Sequence, residues 1–244
     1  MYNFRIKLGN IITDVQSNYS YIEKICQPYY SLEESNCKII IDRIAVEDEL
    51  RAVTADNQYP AAHRNLSEDW FLEVYALLDK LLPLLPRHNM LFMHGSAIMY
   101  KGKAYIFIAP SGTGKSTHAR LWKERFGDDV TIINDDKPFL TFRADKVYVC
   151  GTPWRGKHNI GQNIECILGG ICILTRGERN EICRVSPADA VQDVIRQSNL
   201  HRYKENTLLA LELIDKLLQL VPVYHLACTA TIDAVEICCK EILK

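Results

Sequence analysis

The sequence APSGTGKST (residues 109–117) decides the fold of this chain, because it is nearly a phosphate-binding P-loop. A P-loop reads G-x-x-x-x-G-K-[ST], and here Ala109 stands at the position of the first glycine. A methyl group is tolerated at that position if the backbone there has an ordinary conformation. The residues whose backbone N–H groups and side chains hold phosphate are kept. They are Gly112, Gly114, Lys115 and Ser116.

The segments around the loop support this prediction. KAYIFIAP (103–110) is typical of a buried strand, and KSTHARLWKERF (115–126) of a helix that ends at Gly127. VTIIND (130–135) is the next predicted strand. Strand, loop, helix and strand in this order begin an α/β nucleotide-binding core, whereas the alternative, a chance Gly- and Ser-rich loop, does not require such flanks. The predicted nucleotide-binding residues are Ser111, Gly112, Thr113, Gly114, Lys115, Ser116 and Thr117.

The rest of the chain predicts an α/β fold with a mixed sheet and extra hairpins, plus a small N-terminal α+β unit. Residues 1–66 form this N-terminal unit, and residues 67–244 form the P-loop domain, which opens with a helix capped at Ser67. In the N-terminal unit we predict strands at 3–9 and 37–46 and a helix at 20–30. In the P-loop domain we further predict hairpins at 90–110 and 137–151, strands at 167–175 and 221–228, and helices at 70–81, 187–197, 204–219 and from 233.

The composition is that of an ordinary globular protein. Its 244 residues are 48% hydrophobic and 24% charged, and the formal net charge of −1 argues against a strongly basic nucleic-acid-binding protein. Residues 89–160 are net positive, and such a segment either attracts an anionic ligand or is simply a solvated surface. The densest apolar run, residues 70–85, contains charges and proline, so we expect no membrane partner. The nine cysteines lack CxxC spacing and no signal peptide is evident, so we expect reduced, buried thiols and a cytoplasmic protein.

Two adjacent carboxylates, Asp135 and Asp136, follow the strand after the P-loop helix. Phosphoryl transfer needs Mg²⁺ ligands and a group that orients the attacking hydroxyl, and carboxylates serve both purposes. Neighbouring side chains of a strand point to opposite faces, so the two should differ in role unless the strand ends before them. We predict that one holds the metal ion while the other accepts the proton of the acceptor. A solvated acidic pair at a strand end is the alternative.

Two further segments carry candidate functional side chains. His94, in MHGSA, lies on the strand before the P-loop strand, from which it could reach the phosphates, although a single histidine is more often structural. The segment GTPWRGKHN (151–159) carries three potential cations that suit an anionic acceptor or the transferring phosphoryl group. An exposed basic turn anchored by Trp154 is the alternative. The three cations are Arg155, Lys157 and His158.

Taken together, these motifs resemble a known family. HGSA, SGTGKS and NDDKP occur in the order found in the C-terminal catalytic domain of HPr kinase/phosphorylase, and the loop and Asp pair also resemble ATP-dependent phosphoenolpyruvate carboxykinases. GKSTHARLW and GTPWRGKHN are similar to segments of small bacterial HPr-kinase-like proteins, and the resemblance covers roughly residues 90–185. It implies ATP and Mg²⁺, with Lys115 and Ser116 on the phosphates and the metal. It further implies Asp135 as general base, Asp136 as its metal-side partner, and His94 near the γ-phosphate.

The chain also departs from these relatives. The RGLG signature of true HPr kinases is absent, the N-terminal unit differs, and the length and arginine clusters of a carboxykinase are missing, so HPr is not implied as the acceptor. The first hypothesis is a kinase that phosphorylates a hydroxyl, in a peptide or protein serine or in a small molecule, with Arg155 and Lys115 assisting. The second is a regulatory protein that binds a nucleotide without chemistry, and the third is carboxykinase-like chemistry. An oligomer is possible because the family forms hexamers.

Overall fold

Two β-sheets organise the described part of the chain, residues 1–48 and 69–244, which the computed structural model shows as a mixed α/β fold. One is the small sheet of the N-terminal unit, and the other is a large mixed sheet that carries the strand leading into the predicted P-loop. The predicted domain boundary after residue 66 and the predicted cap at Ser67 lie outside the described residues. The division into two domains therefore stays a prediction.

The small sheet is built from a hairpin and one added strand. Strand β1 (Tyr2–Leu8) pairs antiparallel with β2 (Ile11–Ser17), and β3 (Cys37–Ile40) lies parallel to β2 on its other side. Helix α1 (Ser20–Cys26) and the 3₁₀ turn Gln27–Tyr29 pack against β1. The sequence did not predict β2, although its residues alternate between buried and half-buried positions as in a strand with one face on a core.

The predicted strand at residues 37–46 is wrong in its second half. The strand ends at Ile40, and residues 43–48 are helical. Asp42 accounts for the change, because its carboxylate oxygen Oδ1 accepts a hydrogen bond from the Ala45 backbone N–H at 2.8 Å, as a helix N-cap does. An aspartate inside an apolar stretch thus begins a helix where the hydrophobic pattern favoured a strand.

The large sheet runs in the order β4–β8–β9–β10–β6–β5–β7, with β12 paired to the second half of β10 and β11 outside β12. The antiparallel pairs β5–β6 and β8–β9 confirm the two predicted hairpins. A break at residues 93–94 divides the first arm of the first hairpin into β4 and β5. The strands are β4 (Met90–Phe92), β5 (Gly95–Tyr100), β6 (Lys103–Ile108), β7 (Val130–Asn134), β8 (Phe139–Arg143), β9 (Lys146–Cys150), β10 (Glu165–Arg176), β11 (Glu181–Val185) and β12 (Val223–Cys228).

The long strand β10 joins the two halves of this sheet. Residues 165–167 pair antiparallel with β9, whereas residues from Ile171 onward pair parallel with β12. β6 also lies parallel to β10, and a register shift between Leu168 and Gly170 interrupts that pairing. Because Ile108 of β6 pairs with Ile173 of β10, the P-loop leaves β6 beside the carboxyl end of β10.

Helices cover both faces of the large sheet. Trp122 packs with Phe107 of β6 in one apolar cluster, whereas the neighbouring Ile106 points to the opposite face and packs in a second cluster with Leu77 and Leu217. The helices are α2 (Asp69–Leu81), α3 (Lys115–Phe126), α4 (Pro187–Gln197), α5 (Thr207–Leu220) and α6 (Ile232–Ile242). Further 3₁₀ helices span Leu82–His88, Gly127–Asp129 and Leu200–Asn206.

The N-terminal unit packs directly on the P-loop part of the chain. The Asn10 side-chain amide donates to the His88 carbonyl at 2.9 Å, and Arg143 Nε donates to Asn10 Oδ1 at 3.1 Å. The buried residues of the small sheet also belong to the same apolar cluster as those of α2 and α5. The unit is therefore held against the large sheet by both polar and apolar contacts.

The composition raised two questions about the structure, concerning membrane-spanning helices and the state of the cysteines. Across residues 1–48 and 69–244, no helix has the length and apolar character needed to cross a membrane. All nine cysteines are free thiols. Cys183 is exposed, so the prediction of buried thiols holds for only part of the set. The buried ones are Cys26, Cys150, Cys166, Cys172 and Cys238.

Gly151, directly after β9, makes a close backbone contact that tests this architecture. A Cβ atom at this position would lie 1.8 Å from the Gln162 carbonyl oxygen. We expect Gly151→Ala to lower the free energy of unfolding by about 3 kcal/mol, because the backbone has to move. Gly102→Ala is the control: its φ is +73° but nothing lies within 4 Å, so we expect a loss of about 1 kcal/mol. Urea denaturation measures both, and equal losses would contradict the close contact.

Candidate active site

The loop between β6 and α3 has a backbone suited to an anion. Gly112 and Gly114 have φ angles of 77° and 119°, which glycine adopts without strain. Ala109 is buried and is not among the residues with positive φ, so its methyl group is accommodated as expected. Helix α3 begins at Lys115 without a side-chain cap, so the N–H groups of its first turn are available to an anion.

The Lys115 side chain folds over this loop. Its ammonium nitrogen Nζ donates to the Ala109 carbonyl oxygen at 2.9 Å and is buried there. Burial lowers the pKa of Lys115 to about 8, although the nearby Asp136 carboxylate acts in the opposite direction. An incoming anion would favour the protonated form, so the lysine is placed to respond to ligand binding.

A cavity of about 510 Å³ lies beside the loop. Arg176, at the end of β10, lines it and donates from Nη2 to the Gly112 carbonyl oxygen at 2.7 Å, which fixes the loop against the sheet. His118 lines it from α3, and its Nε2 accepts a hydrogen bond from Trp122 Nε1 at 3.1 Å. Burial lowers the pKa of His118 to about 4, so its ring is neutral near pH 7. Apolar lining comes from Leu121, Leu174 and Cys228.

The Asp135 carboxylate is buried directly after β7. Its Oδ1 accepts a hydrogen bond from the Gly156 backbone N–H at 2.6 Å, whereas Oδ2 is buried without a hydrogen-bond partner in residues 1–48 and 69–244. Burial raises the pKa of Asp135, and the Gly156 N–H offsets part of that rise. A carboxylate with one oxygen fixed, the other free and a raised pKa is suited to accept a proton.

The Asp136 carboxylate, in contrast, lies between the Lys137 ammonium and the His94 ring. Lys137 Nζ donates to Oδ2, and His94 Nε2 lies 3.4 Å from Oδ1. Burial alone would raise the pKa of Asp136, but the Lys137 ammonium and His94 hold it well below its usual range. The Asp136 carbonyl accepts the Gly95 N–H at 3.0 Å, and Gly95 pairs with Ile108, at the end of the P-loop strand. Asp136 is therefore ionised and lies beside the start of the P-loop.

A buried asparagine, Asn134, holds the two aspartates in place. Its Oδ1 accepts the backbone N–H groups of Asp136 at 2.9 Å and Lys137 at 2.7 Å. Its Nδ2 donates to the carbonyl oxygens of Thr152 and Trp154, both at 3.2 Å. One side chain thus joins the turn after β7 to the segment between β9 and β10, which we call the 151–164 loop.

The 151–164 loop separates the three cations that the sequence grouped together. Trp154 anchors the loop by donating from Nε1 to the Val74 carbonyl of α2 at 2.7 Å. Arg155 turns inward, and its Nε is buried without a hydrogen-bond partner among the described residues. Lys157 is exposed, and His158 lies 3.5 Å from Arg120 Nη1 of α3. Arg155 alone is therefore directed into the protein.

The oxygen donors beside the loop fit the Mg²⁺ ion that the resemblance implies. No group of three or more His, Cys, Asp and Glu side chains converges in the part of the chain that the structure describes. Mg²⁺ does not need such a cage, because it keeps several waters and binds one or two carboxylates plus phosphate oxygens. The Ser116 hydroxyl and the ionised Asp136 carboxylate supply oxygen ligands of this kind.

Sequence reasoning missed several residues of this site. Lys137 stood in the quoted NDDKP motif, but only the structure shows it on the Asp136 carboxylate and 5.7 Å from the centre of the Tyr75 ring. Burial lowers the pKa of Lys137, but Asp136 outweighs this and raises it overall. The only sequence signal for Asn134 and Arg176 is weak: each is a polar residue at the end of an otherwise apolar strand.

Comparison with known proteins finds similarity in structure but not in sequence. No family model matches it, and no curated protein matches it by sequence. Among solved structures, it is similar to the Hpr(Ser) kinase/phosphatase from Coxiella burnetii, with 8% sequence identity and a TM-score of 0.36, over 62% of this chain and 93% of that chain.

The altered ionisation of Lys115 is directly measurable. We expect NMR titration of the lysine side-chain amines to show one group with a pKa of about 8, because burial disfavours its charged form. Lys115→Arg identifies this signal by removing it, and the signals of exposed lysines such as Lys101 serve as the internal reference. A Lys115 signal that titrates together with the exposed lysines would show that the ammonium is solvated.

Proposed function

We propose that the protein is an ATP-dependent kinase that transfers the γ-phosphoryl group to a hydroxyl acceptor. The observation that carries this proposal is the pair of unlike carboxylates beside the P-loop. Asp135 is buried with a free oxygen and a raised pKa, whereas Asp136 is held ionised by cations. Neighbouring carboxylates with divergent pKa values are typical of sites that divide proton transfer from charge stabilisation.

The nucleotide would occupy the loop and the adjacent cavity. The free N–H groups at the start of α3 and the Lys115 ammonium suit the phosphates, and the nearby cavity of about 510 Å³ suits the nucleoside. Phosphate bound at Lys115 would replace the Ala109 carbonyl as the partner of its ammonium. Arg176 would keep the loop in register through its bond to Gly112.

Asp135 would act as the general base. Its free Oδ2 accepts the hydroxyl proton while the acceptor oxygen forms a bond to the γ-phosphorus, and the bond to the β,γ-bridging oxygen breaks to release ADP. Bound Mg²⁺ supplies charge neutralisation on the phosphates, with Ser116 and Asp136 as its protein ligands. Lys137 and His94 keep Asp136 ionised, and we assign His94 a position near the γ-phosphate.

The acceptor would enter from the side of the 151–164 loop. Gly156 of this loop already holds Asp135 Oδ1, so an acceptor hydroxyl at Oδ2 lies against the same loop. We assign acceptor binding to Arg155, Lys157 and His158, with Arg155 closest to the chemistry because it alone turns inward. A serine side chain of a peptide or the hydroxyl of a small molecule meets this requirement.

Substitution of Asp135 tests the proposal. We expect Asp135→Asn to reduce phosphoryl transfer by about 10²–10⁴-fold, since general base catalysis contributes that much, without weakening ATP binding. The folded protein should be no less stable at pH 7, because burial of this carboxylate opposes its ionisation. Transfer from γ-³²P-labelled ATP to peptides, amino acids and sugars measures the rate, and the exposed Asp145→Asn is the matched control.

Each result of that experiment has a defined meaning. An Asp135→Asn enzyme that keeps the wild-type rate would exclude Asp135 as the base. ATP binding by the wild type without transfer to any acceptor would favour the regulatory nucleotide-binding protein, and ATP use that depends on oxaloacetate would favour carboxykinase-like chemistry.

The pH dependence of transfer provides a second test. Asp135 must be deprotonated to accept a proton, and its pKa is raised, so the rate should increase with pH through a midpoint above the ordinary aspartate value of 3.8. The stability contribution has the opposite sign. The folded state binds this proton more tightly than the unfolded state, so stability falls as pH rises through the interval between the two pKa values. A pH–rate profile whose acidic midpoint lies at the ordinary aspartate pKa would contradict the role of Asp135 as general base.

A further inference from the structure

Side-chain atoms that are buried without a partner cluster around the 151–164 loop. In residues 1–48 and 69–244, such atoms are Tyr29 Oη, Asp135 Oδ2 and Arg155 Nε. Native proteins pair nearly all their buried polar groups, so each exception requires an explanation. The proposed role of Asp135 as general base explains why its Oδ2 lacks a partner. It does not explain why Tyr29 Oη and Arg155 Nε lack partners.

One short turn holds Arg155 and Asp135 together. Gly156 donates its N–H to Asp135 Oδ1 at 2.6 Å, and Asp135 donates its own N–H to the Ile160 carbonyl at 3.2 Å. The Arg155 side chain folds back across the same turn, since a Cβ atom at Gly161 would lie 3.2 Å from Arg155 Nε. The guanidinium is therefore fixed beside the residue that faces the acceptor hydroxyl.

Tyr29 reaches this turn from the N-terminal unit. Its side chain is 1% exposed, and its neighbour Pro28 accepts a hydrogen bond from the Asn163 side-chain amide at 2.7 Å. Burial raises the pKa of the Tyr29 hydroxyl, and the adjacent Arg155 guanidinium lowers it in part, so the two groups are electrostatic neighbours. The N-terminal unit thus places a buried hydroxyl donor next to the guanidinium.

The charge at this point is uncompensated. A guanidinium is always protonated, and no salt bridge within the described residues pairs Arg155 with a carboxylate. Asp135 is already engaged by the Gly156 N–H. Arg155 is half-buried with its Nε enclosed, and the Tyr29 hydroxyl, which can donate as well as accept, is buried beside it without a hydrogen bond. The pair therefore offers unused donors and a positive charge with no carboxylate to receive them, which suits an oxyanion.

We propose that Arg155 and Tyr29 form an oxyanion subsite, so that the acceptor carries a carboxylate or phosphate group besides its hydroxyl. This inference rests on the proposed kinase function. The acceptor hydroxyl lies at Asp135 Oδ2, while its anionic group accepts hydrogen bonds from the guanidinium and from the Tyr29 hydroxyl. The N-terminal unit then closes the acceptor site.

Matched acceptors test the subsite and identify the source of the anion. Transfer from γ-³²P-labelled ATP is compared for D-glycerate, glycerol 3-phosphate and glycerol, and for a serine-terminated peptide with a free or an amidated carboxyl end. We expect at least one charged compound to exceed its neutral partner by about tenfold or more in kcat/KM, because charge-assisted bonds to arginine are strong. Equal use of charged and neutral members would overturn the proposal.

Variants separate this role from a structural one. Arg155→Ala and Arg155→Lys should raise KM for the charged acceptor about tenfold while KM for ATP is unchanged, since lysine lacks the bidentate fork. Tyr29→Phe should raise the same KM several-fold without loss of stability, because it deletes a hydroxyl that has no protein partner. Tyr30→Phe is the control that should leave both KM values unchanged, because Tyr30, the adjacent residue, is 47% exposed.

Binding measured without ATP distinguishes failure of the subsite from failure of the kinase proposal. Thermal shifts are recorded with each charged compound for the wild type, Arg155→Ala and Tyr29→Phe. Binding that depends on both residues, without transfer to any acceptor, supports the subsite and refutes the kinase. Transfer and binding that are indifferent to Arg155 and Tyr29 refute the subsite and leave the kinase in place.

Discussion

The candidate site depends on the buried side chain of Asn134. Its five hydrogen bonds, two accepted from the turn after β7 and three donated to the 151–164 loop, join segments that the chain order separates. A buried amide that satisfies both its oxygen and its nitrogen in this way fixes one relative position, because any shift leaves polar groups unpaired at about 1–3 kcal/mol each. The placement of both aspartates follows from this constraint.

Within that frame, adjacent carboxylates acquire different chemistry from their surroundings. Asp135 lies behind the loop, where one backbone N–H is its principal partner and the low dielectric favours the protonated form. Asp136, one residue later, faces Lys137 and His94, and their charges outweigh the same desolvation. The strand ends at Asn134, so the difference arises from the turn and not from alternation along a strand. The two ionisation states, and with them the two proposed roles, are therefore separated over a single peptide unit.

The sequence predicted the local parts of the fold better than the contacts between them. The β6 strand, the glycines of the loop and helix α3 follow from short-range patterns, and the structure confirms them. The Asp42 cap was missed because a local hydrogen bond overrode the hydrophobic pattern. Arg176 and Lys137 could not be assigned partners, since their contacts depend on strand order and on how a loop packs. The roles of the site residues stay predictions.

The buried polar atoms without partners indicate a ligand-binding position that the sequence motifs alone do not predict. Each buried polar atom without a partner destabilises the fold by about 1–3 kcal/mol, and a domain is stable by only about 5–15 kcal/mol. Such a cost is tolerated where a ligand supplies the missing partners, and here it is concentrated around one loop beside the P-loop. Tyr29 belongs to the N-terminal unit, whereas Asp135 and Arg155 lie in loops of the large sheet, so the packing of the N-terminal unit contributes to the proposed acceptor pocket as well as to the core. If the proposed subsite is correct, a substitution that loosens that packing weakens acceptor recognition before it disturbs the loop at residues 109–117.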